Sequence, residues 1–316
     1  MRLVTYSARE GDPQVLGALS ADRASIFDLK GAFSAASSQP SAALSSMLSL
    51  IDSAEHGLEQ AQLAIERAAA EPNPDWTVTA NSVQWLAPLP NPRSLRCCSL
   101  SLGHYRGARR VVRRWAGLAD DAEIPALLSR RPMYYKGNAL NLIGTHHKID
   151  PPAYGARLDF ELELALITGK RGRDISVQRA AAHIFGYSIF NDVSARDPQL
   201  EEMQLGAGPT KGKDFDTANI LGPCIVTADE FRAEDALATA RLNGKLIAQA
   251  EPDFAFTWPQ IIAYMSESET LHPGEIIASG AYAGCSGIEH ETFLAAGDRV
   301  ECEIRGIGTL SNSVAG

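Results

Sequence analysis

The chain has few cysteines and lacks any long apolar stretch. Its five cysteines are an odd number and show no paired spacing of a zinc site. A disulfide scaffold and a zinc fold are therefore not indicated, and such thiols fit a reducing, cytoplasmic compartment. No apolar run is long enough to span a bilayer. The first residues have the pattern of a strand and not of a signal peptide, so we expect no membrane association.

The chain has no excess of positive charge, because 38 acidic residues outnumber 29 basic ones and the formal net charge is -9. Binding to nucleic acid needs a basic surface, so this class of function is excluded. The hydrophobic fraction of 45% and the charged fraction of 21% are typical of globular proteins. A chain of 316 residues is long enough for one large domain with a small one attached.

Proline-rich segments divide the chain near residue 85. The first 34 residues have the pattern of short strands, and apolar spacing predicts a helix over 43–70. Segment 71–75 ends this helix, and the Pro-Leu-Pro-Asn-Pro run at 88–92 marks a linker. We predict a small amino-terminal α/β domain at residues 1–85 and a larger domain at 86–316.

The larger domain is predicted to be rich in strands. A helix is expected over 176–185, ending at Gly186, and a second over 258–265. Asn243 and Gly244 form the favoured turn pair of a hairpin, and residues 299–304 alternate as a late strand. The predicted fold class is therefore α+β.

Glu161 and Glu163 lie two positions apart in segment 158–165, which has the alternation of a strand. Both carboxylates therefore point to one face. Carboxylates that repel each other are usually held together by a divalent cation, and Asp192, after a second strand-like run, supplies a third oxygen. This set favours Mg²⁺ before Zn²⁺, with Mn²⁺ or Ca²⁺ as alternatives. The other interpretation is an exposed strand face with solvated glutamates.

An ordered series of motifs covers more than half of the chain. It includes Asp-Phe-Glu-Leu-Glu-Leu-Ala at 159–165, Gly-Tyr-Ser-Ile-Phe-Asn-Asp-Val-Ser-Ala-Arg-Asp at 186–197, Gly-Lys-Asp-Phe-Asp at 212–216 and Leu-His-Pro-Gly-Glu-Ile-Ile at 271–277. This series resembles the fumarylacetoacetate hydrolase family. The resemblance implies a mixed β-roll or barrel-like catalytic domain with the active site at one mouth, and a homodimer.

The resemblance also implies roles for four further residues. Lys213 would lie beside the metal, where an ammonium group can stabilise an enolate oxygen. Tyr135, Arg196 and Gln199 would bind the substrate, and an arginine suits an acid because it binds carboxylates through two parallel bonds. An internal ion pair with Asp197 or Asp214 is the alternative for the arginine, and packing within a strand is the alternative for the tyrosine.

His104 is the candidate general base, because a histidine exchanges protons near neutral pH. The alternative is a surface histidine on a basic segment. The chain departs from the family pattern around it. Shorter members have a glutamate three residues after the histidine, where this chain has Gly107. Longer members have an aspartate seven residues before it, where this chain has Cys97. Ala281 stands where the family usually has threonine.

Two other segments bear on His104. Glu289 and Glu291, in a late loop, are candidates for the missing carboxylate partner. The arginines within residues 106–114 fall at helical spacing, which indicates a solvated helix face. The alternative for this segment is a lid that brings an anionic substrate to the metal.

These features predict a metal-dependent enzyme that acts on a small anionic 2-oxo acid. The first mechanism is hydrolysis of a C–C bond in an acylpyruvate or another 1,3-diketo acid, with water activated by His104 and an enolate stabilised by Lys213. The alternatives are a decarboxylase, isomerase or dehydratase of a 2-oxo acid, such as oxaloacetate or a 2-keto-3-deoxy sugar acid. From a different class of function, a non-catalytic metal-dependent binding protein would keep the same fold.

Overall fold

A computed structural model describes residues 1–120, 123–155, 157–206 and 208–316. The α-helices within these residues are α1 (Leu29–Ser37), α2 (Met47–Asp52), α3 (Ala54–Ala70), α4 (Leu102–Trp115), α5 (Val177–Ala180), α6 (Arg196–Met203) and α7 (Trp258–Ser266). The strands are β1 (Arg2–Ser7), β2 (Val15–Leu19), β3 (Ser25–Asp28), β4 (Thr77–Thr79), β5 (Gln84–Trp85), β6 (Leu95–Cys98), β7 (Tyr134–Gly137), β8 (Leu142–Ile143), β9 (Lys148–Ile149), β10 (Leu158–Asp159), β11 (Leu162–Thr168), β12 (Gly172–Arg173), β13 (Ile184–Asp192), β14 (Ser194–Ala195), β15 (Asn219–Thr227), β16 (Ala238–Leu242), β17 (Lys245–Ala250), β18 (Thr270–Leu271), β19 (Ile276–Ala278), β20 (Arg299–Ile304) and β21 (Gly308–Val314).

The largest sheet contains strands from both sides of the predicted domain boundary. Its strand order is β4-β3-β2-β1-β15-β13-β11-β19-β6-β7, with β5 paired to β1 and β8 paired to β15. The amino-terminal strand β1 is antiparallel to β15, with Leu3 opposite Ile225. The chain therefore forms one continuous sheet on both sides of residue 85, and the division into two domains stays a prediction.

The two faces of this sheet bury two apolar cores. One core includes helices α1 to α3 and the sheet residues Leu3, Ala165 and Phe190. The other includes α7 and a five-stranded sheet of order β17-β16-β20-β21-β9, which contributes Cys302 among other residues. Strands contribute more residues than α-helices do, and helices lie on the outside of the sheets, which confirms the α+β, strand-rich fold class.

Several predicted elements are confirmed. Strands β1, β2, β3 and β20 and helix α7 lie where the residue patterns predicted them. The hairpin of β16 and β17 turns at Asn243 and Gly244 as predicted. Among the described residues, no helix has the length and apolar character needed to cross a membrane.

Two local predictions are wrong, and helix α1 was missed. The single helix predicted over 43–70 is broken, because the chain turns between α2 and α3 at Ala54, which has a φ of 48°. The helix predicted over 176–185 ends early, because Ile184 already pairs with β11 and Gly186 lies within β13. Helix α1 was not predicted; it begins after Asp28, whose side chain accepts a hydrogen bond from the helix backbone.

Candidate metal centre and active site

Glu161, Glu163 and Asp192 form a buried carboxylate cluster. One oxygen from each lies within 4.8 Å of the others. Pairing of β11 with β13 brings them together, since Glu163 is opposite Phe190 and the Asp192 amide donates to the Glu161 carbonyl at 3.0 Å. Glu161 lies in a short break between β10 and β11 instead of inside a continuous strand. All three side chains are buried, so the alternative of an exposed strand face with solvated glutamates is wrong.

The electrostatics of this cluster fit a bound cation. Burial, followed by the charges of Asp192 and Glu161, raises the pKa of Glu163 well above its usual range. Burial also raises the pKa of Asp192, and its Oδ1 has no hydrogen-bond partner among the described residues. A buried oxygen without a partner is costly unless another group satisfies it. The donors are all oxygens, so the residues fit a hard divalent ion such as Mg²⁺.

Two buried cations compensate part of the negative charge. Lys213 Nζ lies 2.6 Å from Glu161 Oε2 and 2.7 Å from Asp192 Oδ2. Arg196 Nη2 lies 2.6 Å from Glu161 Oε1 and 2.6 Å from Asp159 Oδ2. Burial alone would raise the pKa of Glu161, but the Arg196 and Lys213 charges hold it well below its usual range. The surroundings of Glu161 therefore favour its ionised form more strongly than those of Glu163 or Asp192 do.

The predicted substrate contacts also lie at this cluster. Arg196 donates to Gln199 Oε1 at 2.8 Å as well as to Asp159, so its ion pair is not with Asp197 or Asp214. Asp197 pairs instead with Arg157. Tyr135 donates its hydroxyl proton to Asp192 Oδ2 at 2.7 Å. The tyrosine, the arginine and the glutamine all line the cavity described below.

The thiol of Cys97 belongs to the same face. Cys97 lies opposite Tyr135 on β7 and opposite Ala278 on β19. Residues directly opposite each other in paired strands share a face, so the thiol points to the side of the sheet that carries Glu163. Burial, followed by the charges of Asp192 and Glu163, raises its pKa well above the usual range. Cys97 is therefore a neutral thiol beside the carboxylate cluster.

His104 lies between the cluster and a fourth carboxylate. Its Nε2 is 3.5 Å from Glu161 Oε1, and its Nδ1 is 2.9 Å from Glu289 Oε2. Burial alone would lower its pKa, but hydrogen bonds and charges from Glu161 and Glu289 outweigh burial and raise the pKa to about 10. Of the two candidate partners, Glu289 contacts the imidazole, whereas Glu291 accepts hydrogen bonds from Arg114 and Trp115.

Gly107 leaves the space that Glu289 occupies. A Cβ atom at Gly107 would lie 2.5 Å from Glu289 Oε1, which is closer than real Cβ contacts allow. Gly107 therefore makes room for Glu289, which contacts His104 in place of a glutamate three residues after the histidine. Glu289 is further held by Ser286 Oγ at 2.8 Å and by the Gly284 amide. The sequence offered both late glutamates as candidates but contained no signal to choose between them.

Helix α4 positions His104. Ser101 caps the helix by accepting a hydrogen bond from the His104 amide at 3.0 Å. Asp253, from a distant loop, accepts another from the Gly103 amide at 2.8 Å. The basic segment is helical as predicted. Arg106, Arg110 and Arg114 are exposed, whereas Arg109 and Arg113 line the cavity.

The turn after β19 closes the other side of the cluster. The Gly280 amide donates to Glu163 Oε2 at 2.9 Å. Gly280 has a φ of 82°, and a Cβ there would lie 2.5 Å from the Cys98 carbonyl oxygen, so only glycine fits. Ala281 is buried and also lines the cavity. Alanine in place of threonine removes a hydroxyl from this wall.

A cavity of about 600 Å³ connects the cluster with the surface. It lies between helices α4 and α6, and Lys213, His104 and the three carboxylates form its inner end. The inner end of the cavity is buried and carries carboxylates, an ammonium group and a histidine, and the cavity widens towards its mouth. These features suit a small acid that also binds a metal.

Comparison with known proteins shows the family of the chain. Residues 103–315 match the family described as fumarylacetoacetate (FAA) hydrolase, C-terminal. An oxaloacetate tautomerase of Xenopus laevis, described as mitochondrial, is 28% identical over 99% of this chain and 90% of its own length. An oxaloacetate tautomerase of Bacillus subtilis is 31% identical over 78% of this chain and 79% of its own length.

Solved structures agree as well. The fumarylacetoacetate hydrolase from the psychrophilic bacterium Exiguobacterium antarcticum superposes with a TM-score of 0.74 and is 26% identical. The superposition covers 100% of this chain and 99% of that protein, so it includes the amino-terminal residues that the family match leaves out.

Proposed function

The chain belongs to the fumarylacetoacetate hydrolase family of enzymes, and from that premise we propose that it interconverts the keto and enol forms of a small 2-oxo acid in a reaction that depends on a divalent metal. The observation that carries this proposal is the position of His104, held by Glu289 with its Nε2 3.5 Å from Glu161. A histidine in this place can take a proton from, or return it to, a substrate bound at the carboxylate cluster. The relatives named as oxaloacetate tautomerases support the same chemistry.

Glu161, Glu163 and Asp192 are the residues that we propose to hold the metal, with Mg²⁺ as the first choice and Mn²⁺ or Ca²⁺ as alternatives. Bound there, such an ion would polarise the carbonyl of a 2-oxo acid. The oxygen without a partner on Asp192 and the raised pKa of Glu163 support this assignment.

His104 acts in this proposal as the group that moves the proton. With its pKa raised to about 10, the imidazole carries a proton on both nitrogens at neutral pH. This pKa depends on the charge of Glu161, so a cation held by Glu161 would lower the pKa of His104 towards neutrality. A group with a pKa near the working pH is the most effective proton donor and acceptor.

Lys213 and the substrate contacts complete the proposed site. The Lys213 ammonium provides a positive charge where the substrate oxygen becomes negative. We propose Tyr135, Arg196 and Gln199 as contacts for the acid group, because all three line the cavity at its inner end. Arg196 also holds Glu161 in place through the ion pair described above.

Hydrolysis of a C–C bond in an acylpyruvate is the second candidate. It is favoured by the contact of His104 with Glu289, because a histidine supported by a carboxylate can activate water. The Exiguobacterium protein, which has the same fold over its whole length, is named as a hydrolase.

One assay separates the candidates. Oxaloacetate and acetylpyruvate are mixed with the protein and Mg²⁺ or EDTA, and the ultraviolet band of the enol is followed together with pyruvate. Faster metal-dependent equilibration of the enol band without pyruvate supports the tautomerase. Pyruvate from acetylpyruvate supports the hydrolase, and pyruvate from oxaloacetate with loss of CO₂ supports a decarboxylase. His104→Ala should abolish either of the first two activities; an unchanged rate would remove His104 from the mechanism.

Two further predictions stay open. The resemblance to the family implies a homodimer, which light scattering on a sizing column would test. The cytoplasmic compartment expected from the cysteines would be tested by fractionation of the source cells.

A protein that binds oxalate only with Mg²⁺, and converts none of these acids, would support the non-catalytic alternative.

A further inference from the structure

The cavity is larger than a four-carbon acid needs. Its volume of about 600 Å³ lies within the range of roughly 300–1,000 Å³ that is typical of sites for drug-sized ligands. An acid such as oxaloacetate, held at the carboxylate cluster by its 2-oxo acid group, would leave most of this space to solvent. The outer part of the cavity therefore has a shape that the proposed chemistry does not require.

The outer part is bounded by two helices that lead away from the cluster. On α4, His104, Ala108 and Val112 are four residues apart and lie on one face. At 1.5 Å per residue, this face extends about 12 Å from His104 to Val112. On α6, Leu200 and Met203 continue outwards from the inner end of the cavity.

The side chains along this path are largely apolar. Val112 and Leu200 are half-buried, and Met203 is 54% exposed although it lines the cavity. A ligand that covers these apolar side chains removes them from water, and this lowers the free energy of the complex. Methionine adapts its shape to different apolar groups.

Two arginines on α4 also line this part. Arg109 donates to the Tyr105 hydroxyl at 3.4 Å, and Arg113 Nε donates to the Ala119 carbonyl at 2.8 Å. Both guanidinium groups thus have hydrogen-bond partners on α4 or just after it. Each of these bonds uses one of the five donors of its guanidinium group, so the arginines leave an anionic ligand group as the alternative, which the carboxylate-ended acid in the series below tests.

We propose that the substrate is a 2-oxo acid with an extended alkyl or aryl group on the side away from its carboxylate, and that this group lies between α4 and α6 against Val112, Leu200 and Met203. The inference rests on the proposed function for the inner end of the cavity, because the reacting group must be anchored there. It makes oxaloacetate a compact analogue of the natural substrate.

The test is a series of acylpyruvates with Mg²⁺, from acetyl to butanoyl, hexanoyl and benzoyl, with oxaloacetate and an acylpyruvate that ends in a carboxylate. We expect kcat/KM to rise about fourfold for each methylene buried, until the outer part is filled. In parallel, calorimetry measures binding of the same acids, so that affinity is known whether or not they react.

Met203→Glu places a charge in the outer part of the cavity. We expect it to reduce kcat/KM and affinity for hexanoylpyruvate at least tenfold, and for acetylpyruvate less than twofold. Leu205→Glu is the matched control, because Leu205 is 85% exposed, follows α6 closely and does not line the cavity. It should leave the preference for long chains unchanged.

The outcomes separate this inference from the proposed function. Equal values of kcat/KM and of affinity along the series, or a preference for oxaloacetate, would overturn the inference and leave the function in place. A preference for the carboxylate-ended acid would overturn it in favour of an anionic group at Arg109 and Arg113. Tighter binding of longer acids without conversion of any acid would support the position of the apolar group between α4 and α6 and overturn the proposed function.

Discussion

At the scale of single residues, Glu289 is expected to keep His104 in its working orientation. Glu289→Ala removes the acceptor at Nδ1 and lowers the pKa of the imidazole, because one of the two carboxylates that raise it is lost. We expect kcat to fall about 10²-fold or more, with a smaller change in KM. Steady-state kinetics and the pH profile of kcat check both effects.

Gly107 provides a rescue for this variant. A glutamate at position 107 would lie one turn after His104 on the same face of α4, in the space that Glu289 has left. Gly107→Glu combined with Glu289→Ala should therefore recover part of the lost rate, whereas Gly107→Glu alone should be destabilised by the clash. Glu291→Ala is the matched control and should retain activity. A double variant as inactive as Glu289→Ala would argue that the carboxylate does more than orient the imidazole.

Glu163 is expected to make metal binding depend on pH. Its pKa is raised well above the usual range, so the folded protein holds a proton there that a solvated glutamate would release. A cation must displace this proton, so binding of Mg²⁺ releases protons and becomes tighter as pH rises. Calorimetry in buffers of different ionisation enthalpy measures the proton release directly.

The raised pKa of Glu163 also determines whether the stability of the fold rises or falls with pH. A carboxyl whose pKa is higher in the folded than in the unfolded chain stabilises the fold when protonated, and this contribution is lost as pH rises through the folded pKa. Added Mg²⁺ should therefore raise the melting temperature more at alkaline than at acidic pH. In Glu163→Gln the part of the proton release that comes from this carboxyl should disappear together with most of the affinity, and only the protons lost by His104 as its pKa falls should remain. Binding that is independent of pH in the natural protein would contradict this assignment.

At the scale of elements, the motifs predicted the inner end of the site but left two candidates, Glu289 and Glu291, for the carboxylate that supports His104. Glu161 and Glu163 were predicted from alternation within a strand, and Asp192 from its place after a second strand. The break at Glu161 between β10 and β11 still leaves the three carboxylates close together. The contact of Glu289 with His104 joins residues 185 positions apart, and it depends on how a late loop meets α4. Local patterns carry no information on such contacts.

The same limit explains the helix errors. Segment 43–70 keeps its apolar spacing across Ala54, so nothing in the pattern marks the turn between α2 and α3. Ile184 and Phe185 continue a helical pattern, but they are the first residues of β13, where Ile184 pairs with Thr168 of β11. Burial in a large sheet outweighs the weak local preference for helix.

Helix α4 provides a prediction at this scale. Asp253 accepts a hydrogen bond from the Gly103 amide at the first turn, next to His104. Asp253→Ala should cost about 0.5–2 kcal/mol of stability, as expected for the loss of a cap. It should also lower kcat, because the turn that carries His104 loses one of its two side-chain caps.

Asp22→Ala is the control for this variant. Asp22 makes a similar hydrogen bond to the Ala24 amide in an exposed turn between β2 and β3, which does not line the cavity. It should leave kcat unchanged. Chemical denaturation and kinetics on both variants separate the two effects. An Asp253→Ala enzyme that is destabilised but fully active would show that Ser101 alone positions the helix.

At the scale of the whole molecule, the first 85 residues are expected to be needed for folding of the rest. Strand β1 covers an edge of β15, and the amino-terminal ammonium group lies 2.6 Å from Thr227 Oγ1 and 2.7 Å from Glu230. Helices α1 to α3 cover the core that includes Phe190, two residues before Asp192. Removing them exposes an unpaired strand and an apolar sheet face, and both promote aggregation.

We therefore expect a fragment of residues 86–316 to aggregate, or to unfold without cooperativity, whereas the full chain gives one cooperative transition. Coexpression with residues 1–85 should restore a soluble complex, because the lost contacts are strand pairing and core packing that a separate chain can also make. Sizing chromatography and thermal unfolding of the fragment, the complex and the full chain are the measurements. A monodisperse fragment that melts within a few degrees of the full chain, and binds Mg²⁺, would instead establish residues 86–316 as an independent domain, with the sheet merely extended by β1.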